Sequence, residues 1–387
     1  VKIKNNFSIG EQFSIYIHFP FCIKKCNYCD FVSYKFASHN TDQYIDCLIK
    51  EIKLFAEKNA VEGVRISSIY FGGGTPSLIT PEQLARVFET LNSVFVLSSV
   101  REITLEANPE TINKTKFSKF RKLGVNRISM GAQSFNDRTL KILGRVHNAN
   151  KIYESFSVLR KVGFSNINID LMFSLPGESV KDTMNSLKKA IALGPEHISY
   201  YSLTIEKGTN FYRNKDYLDF PNEKEEYQEF SEGIKLLENA GYKRYEISNF
   251  ALNGFESVHN IHYWKNLPYF GFGVSAASFL RRSRTQNYFR IKSYCNAISN
   301  KTLPERSSEH LAGLHAKAEH LILGLRMIKG VDKDLYYHRF GTLPDYDFKE
   351  KIDFFIHKKL LKKNAHYIAL TKNGTFVANG IFEEFLP

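Results

Sequence analysis

The chain has 387 residues, 43% hydrophobic and 24% charged, enough to bury one large core and a smaller one. No apolar run reaches membrane-spanning length and the opening stretch VKIKNNFSIGEQ lacks the apolar core of a signal peptide, so a cytoplasmic location is expected. Net charge is +13, with pI near 9.3, which suits an anionic partner. The basic residues are scattered, however, and the densest group, 357–363 (HKKLLKK), reads as a solvated helix face. Nucleic acid is therefore not an expected partner, and a peripheral membrane contact stays open.

In chain order, the first informative stretch is 16–31, YIHFPFCIKKCNYCDF. Cys22, Cys26 and Cys29 have the spacing C-x3-C-x2-C, which brings three thiolates to one centre and supplies no fourth; Cys47 and Cys295 are isolated. An iron-sulfur cube held by three cysteines keeps one iron open to a small molecule. Two plainer readings compete. A disulfide would leave one thiol over, and a zinc site would recruit His18 or His39 as fourth ligand. The apolar strand SIYIHFP and the aromatic Tyr28 favour a shielded redox cluster.

Beyond this loop the period alternates between helix and strand. Residues 41–58 place Ile45, Leu48, Ile49, Ile52 and Phe55 on one helical face. Strands are predicted at 65–71, 102–107, 126–130, 166–173 and 197–205, with helices at 81–95, 113–123, 151–162 and 180–193. This pattern predicts an α/β fold, a partial (β/α)6 barrel, over residues 1–205. An open doubly wound sheet has the same pattern; the cysteine loop after the first strand favours the barrel.

Chemistry in such folds collects at the carboxyl ends of the strands. There lie Gly72, Gly73, Gly74, Thr75 and Pro76, then Glu106 in LEANPE, Gln133 in MGAQSF and Asp170 in the apolar NINIDLMF. A buried acid needs a partner or a ligand, and Arg145 in LGRVH is the candidate partner of Asp170. The glycines permit either a tight turn or a close backbone approach to a ligand.

Residues 206–306 leave the repeat, with a helix expected over 222–239 and a strand at YKRYEIS; Gly271 to Ser278 are expected to close the barrel mouth. Residues 307–387 read as a small carboxyl-terminal α-helical domain of winged-helix flavour: two helices, then a wing-like segment YIALTKNGTFVANGIFEEFL. No arginine-rich recognition helix accompanies it.

The cysteine spacing resembles that of the radical S-adenosylmethionine (SAM) superfamily. IHFPFCIKKCNYCDF, FGGGTPSLI, LEANPET, NRISMGAQSF, LGRVH, NIDLMFSLPGES, YSLTIEKGT, YEISNFA and HNIHYW, in this order, resemble the oxygen-independent coproporphyrinogen III oxidases and their relatives over nearly the whole chain. The resemblance implies that Cys22, Cys26 and Cys29 hold a 4Fe-4S cluster. It also implies that Tyr16, Gly73, Gly74, Thr75, Glu106, Gln133, Arg145 and Asp170 line a SAM site, with Tyr28 packed beside it. The oxidases carry a further cysteine where this chain has Phe31. With His259-Asn260-Ile261-His262-Tyr263-Trp264, the CDF form resembles the heme-chaperone branch, in which HNxxYW is associated with heme. That branch implies His259 as a heme ligand, client apoproteins that receive heme, and a reductant such as flavodoxin or ferredoxin. Two rivals remain: oxidative decarboxylation of coproporphyrinogen III, against which Phe31 argues, and radical modification of RNA, which no RNA-binding module supports.

Overall fold

The computed structural model describes residues 12–59, 61 and 63–387. The first eleven residues, on which the reading of the opening stretch bears, and the side chain of His39 lie outside the described residues. Strands β1 (Gln12–Phe19), β2 (Arg65–Gly73), β3 (Glu102–Ala107), β4 (Arg127–Gln133), β5 (Ile167–Phe173) and β6 (His197–Ser202) pair in that order, all parallel. Parallel neighbours need long crossovers, and these are the helices Ser38–Asn59, Pro81–Val94, Lys114–Lys122, Ala149–Val162 and Val180–Leu193. A sixth helix, Glu223–Asn239, follows β6.

Local sequence sets these ends. Thr80 with Gln83, Ser179 with Asp182 and Asn222 with Glu225 form reciprocal capping boxes, each satisfying donors that a helix start leaves bare. The strands are buried on both faces, as parallel strands under helices must be; β4 has no residue outside the core.

The sheet continues past both ends of this unit. On the β6 side it adds β8 (Asn249–Ala251) and β7 (Lys243–Arg244), antiparallel. On the β1 side it adds β9 (Tyr269–Phe272), parallel to β1, then β10 (Ala277–Leu280), β11 (Ser283–Asn287) and β12 (Glu305–His310). The full order is β12-β11-β10-β9-β1-β2-β3-β4-β5-β6-β8-β7. Residues 271–278 thus extend the sheet beyond β1 instead of closing the mouth. The cause is a buried carboxylate: Glu51, on the first crossover helix, accepts from Gly273 N (2.7 Å), Asn287 Nδ2 (2.6 Å) and Tyr294 Oη (2.5 Å) and so ties β9 and its sequel to that helix. The strand expected across YKRYEIS is reduced to the two residues of β7.

One apolar core runs from Phe13 to Tyr294 and a second from Ala318 to Phe385. In the first, Phe13 stacks on Phe270 at 5.1 Å and Phe55 meets both Phe270 and Phe272 edge-on. Each such buried ring contributes about 2 kcal/mol of transfer free energy. The second core joins helices Gly313–Leu325, Lys333–Phe340 and Lys349–His357 to a three-stranded antiparallel sheet of β13 (Val331–Asp332), β15 (Tyr367–Leu370) and β14 (Leu361–Lys363). Two expectations change here. The wing-like segment is strand only to Leu370; Thr371 then caps the helix Lys372–Phe376, whose Phe376 packs against the first core, and the helix Ala378–Phe385 packs on the second. The lysine run is not one helix face: the helix ends at His357, Lys359 takes a left-handed conformation, and Lys363 lies in β14, paired with Asp345 and Asp353. Among the described residues no helix is long and apolar enough to cross a membrane.

Candidate functional site

The cysteine loop is pinned at both ends. Residues Phe21–Cys22 pair with Tyr34–Lys35, with Phe36 N donating to Cys22 O at 2.9 Å. At the far side Asn27 N donates to Leu143 O (2.9 Å) and Asn27 Nδ2 to Ile142 O (2.8 Å). All three thiols are free and half-buried and line one cavity of about 160 Å³. Thr75 Oγ1 donates to Cys22 Sγ at 3.4 Å and Arg145 Nη1 to Cys26 Sγ at 3.5 Å. Burial raises the pKa of Cys22 and pushes that of Cys29 up to about 11, so the surrounding protein does not itself produce thiolates there. A bound cluster would, because a coordinating metal deprotonates the thiol outright. Of the two histidines in the zinc reading, His18 is committed elsewhere: its Nε2 is bonded to Val32 O (3.1 Å) and its Nδ1 to Tyr16 Oη (3.1 Å). Among the described residues no three His, Cys, Asp or Glu side chains converge as a single ion requires. An iron-sulfur cube is a larger body, and three thiols spaced round one cavity fit it.

Successive strand ends supply the rest of this cavity, which Tyr28, Gly73, Gly74, Thr75, Glu106, Gln133, Arg145 and Asp170 all line. Glu106 accepts from Tyr70 Oη (2.8 Å) and Gly73 N (3.2 Å). Burial, assisted by the nearby Asp170 charge, outweighs these bonds and raises its pKa to about 7. Asp170 accepts from Asn168 Nδ2 (2.6 Å) and Ser129 Oγ (3.2 Å), and burial raises its pKa too. Arg145 is not its partner: Nη2 donates to Asn108 Oδ1 and to Gly131 O, both at 2.7 Å. Gln133 is left-handed (φ 69°) at a slip in the β4–β5 register, which sets its Oε1 to accept from Tyr201 Oη at 2.9 Å. Tyr28 packs on Phe211 beside Leu143 and Met172.

The glycine turn is explained by packing as well as by ligand approach. A Cβ at Gly73, where φ is 112°, would lie 2.6 Å from the His18 ring, and one at Gly74 would lie 2.8 Å from Phe21 O. Here the absence of side chains lets the cysteine loop lie against the end of β2.

Tyr16 stands apart. Its ring stacks on Tyr70 (6.2 Å) and lines a second cavity, of about 640 Å³, with His18, Phe31, Tyr263 and His259. His259 lies on the short helix Val258–Trp264, which packs against β2 and is held by Glu102; that carboxylate accepts from Ser257 Oγ, Val258 N and His259 N. The His259 imidazole is stacked on Tyr70 at 4.9 Å and met edge-on by Tyr263 at 4.8 Å. Its Nδ1 is 3.0 Å from Ser68 Oγ, while Nε2 is enclosed without a partner. Burial first, then His262 and Arg127, holds its pKa well below the usual histidine value, so the ring is neutral. A neutral imidazole oriented through one nitrogen and free at the other has the donor set of an axial iron ligand. The same motif does not act as a unit: His262 Nε2 is committed to Pro268 O at 2.7 Å, and Trp264 lies under the Arg326 guanidinium, 4.4 Å away.

Sequence reasoning passed over Asn108, Ser129, Tyr201 and Tyr70. Asn108 follows Glu106 by two residues in LEANPE and was within reach of the strand-end argument; the two tyrosines carry no such signal.

Comparison with known proteins bears on the whole chain. The Radical SAM superfamily profile matches residues 16–190 and the HemN C-terminal domain profile residues 311–377. The heme chaperone HemW of Bacillus subtilis is 36% identical over 376 residues, covering 96% of this chain and 99% of that protein. HemW of Lactococcus lactis is 35% identical, covering 96% and 97%. The solved structure of HemN, the coproporphyrinogen III oxidase of Escherichia coli, superposes with a TM-score of 0.84 over 97% of this chain and 90% of that one, at 23% identity, and so shares its fold. With full-length likeness to two such relatives and both profiles in place, the chain belongs to the HemW family of radical SAM proteins.

Proposed function

We propose that this protein is a heme chaperone: it holds a 4Fe-4S cluster on Cys22, Cys26 and Cys29, SAM beside it, and heme at His259, and delivers the heme to client apoproteins. The observation that carries the reading is the unpartnered Nε2 of His259, a neutral nitrogen in an aromatic-lined cavity next to the cysteine cavity. Tyr70, Tyr263 and Tyr16 supply flat apolar surface of the kind a macrocycle stacks on. In the cysteine cavity, Asp170, Glu106 and Gln133 offer acceptors for the polar groups of SAM, and Arg145 offsets part of the thiolate charge. When bound and reduced, the cluster supplies one electron to the SAM sulfonium; a reductant such as flavodoxin or ferredoxin would reload it.

Phe31, 61% exposed, lines both cavities at the position where the oxidases have a further cysteine. A phenyl ring neither ligates iron nor moves a proton, which favours a binding role over decarboxylation. The test is a side-by-side assay of anaerobically reconstituted protein. With heme, it should bind and pass the heme to a recipient apoprotein; with coproporphyrinogen III and SAM, it should yield no protoporphyrinogen. Steady decarboxylation would replace this reading with the oxidase.

A further inference from the structure

The barrel interior holds a guanidinium, that of Arg127, which no side chain bonds at its Nε. Arg127 opens β4, and its strand-mates Ser129 and Gly131 face the cysteine cavity, bonded to Asp170 and Arg145. Arg127 is 2% exposed, its Nε is enclosed without a partner, and its guanidinium forms no hydrogen bond or ion pair among the described residues. The charge of Arg127 acts through space on Glu106 and Asp170, lowering the pKa of each against their burial, but neither bonds it. Glu106 is taken by Tyr70 and Gly73, and Asp170 by Asn168 and Ser129. A buried charge whose donors lack acceptors is costly unless a ligand supplies them.

The guanidinium lines a cavity of about 240 Å³ with Tyr70, Ser129, Asn168, Asp170 and Asn260. Tyr70 and Asn260 also line the cavity of His259, so the two spaces adjoin. Arg127 is near enough to His259 for its charge to add to the burial and the His262 interaction that hold that imidazole neutral. One planar guanidinium matches one carboxylate fork. A dianion would leave a second charge facing Asp170.

We propose that Arg127 anchors a carboxylate arm of the ligand held at His259. On the heme reading above, on which this rests, the arm is a propionate. Heme then meets the protein at two points, iron at His259 and carboxylate at Arg127, which fixes its orientation in the aromatic cavity.

The test titrates heme and heme dimethyl ester, which lacks free carboxylates, against cluster-loaded full-length protein, following the heme absorption band. Wild type should bind heme at least tenfold more tightly than the ester. Arg127→Lys should keep part of that preference, and Arg127→Gln should bind both alike, with cluster content unchanged. Equal wild-type affinity for heme and ester overturns the proposal with no variant needed, and so does a preference that survives in Arg127→Gln. Sodium propionate, probed by saturation-transfer NMR, separates the two readings. Propionate contact with wild type and not with Arg127→Gln, in a protein that fails to bind heme, would sink the heme reading and sustain the carboxylate site. Absence of both contacts overturns both.

Discussion

The two cavities share Phe31 as a wall, yet they are built on opposite plans. The cysteine cavity is polar, and most of its groups satisfy one another, Glu106 through Tyr70, Asp170 through Ser129 and Asn168, Arg145 through Asn108, with Arg145 Nε left over. The His259 cavity is aromatic and leaves one ring nitrogen unanswered. A satisfied polar network is rigid and pre-formed. An enclosed nitrogen among rings, by contrast, is stabilised only when something binds it. On the function proposed above, the first cavity is a standing platform and the second a loading site, and substitutions should affect them differently.

The largest expected effect lies in the platform. Serine at Cys22, Cys26 or Cys29 should abolish the cluster's iron and its brown colour, while Cys47→Ser and Cys295→Ser retain both; stoichiometric zinc in place of iron and sulfide would break the assignment. Gly74→Val follows. Its Cβ would press on Phe21 O, one residue before Cys22, so iron content should fall together with SAM binding. Asp170→Ala should instead keep the iron and weaken SAM about tenfold, roughly 1.4 kcal/mol. Equal iron loss in both variants would erase the distinction between packing and ligand contact.

In the second cavity, His259→Ala should change the heme absorption spectrum and impair transfer with SAM binding intact. His262→Ala should leave the spectrum alone and lower the melting temperature, because it strips a part-buried carbonyl of its donor, at a cost of about 1 kcal/mol. A spectrum that follows His262 would reverse the ligand assignment.

The smallest effect is a pH dependence outside both cavities. Burial raises the pKa of Glu51 to about 7 against its three hydrogen bonds. The folded state therefore holds a proton that the unfolded state has released, and this contribution to stability falls as pH rises from about 4.5 to about 7. The melting temperature of Glu51→Gln relative to wild type should rise across that window. A difference flat in pH would show that Glu51 folds ionised.

The sheet's parallel core was legible because its causes are local. Period-2 and period-3.6 apolar runs, capping pairs such as Thr80 with Gln83, and αL glycines such as Gly163 and Gly194 act within a few residues. The cysteine spacing and the strand-end positions followed from the same logic, since a parallel strand order carries every carboxyl end to one side. What needed the tertiary structure was pairing between distant side chains. The bond of Asp170 to Ser129, the ties of Glu51 to Gly273 and Tyr294, and the stacking of His259 on Tyr70 and of Arg326 on Trp264 join residues far apart in the chain. The unbonded Nε of Arg127 is of the same kind: sequence marks a charge inside a strand, but only packing decides whether an acceptor comes within hydrogen-bond reach. Local propensity is written in neighbouring residues, whereas the satisfaction of a buried polar group depends on every chain segment folded around it.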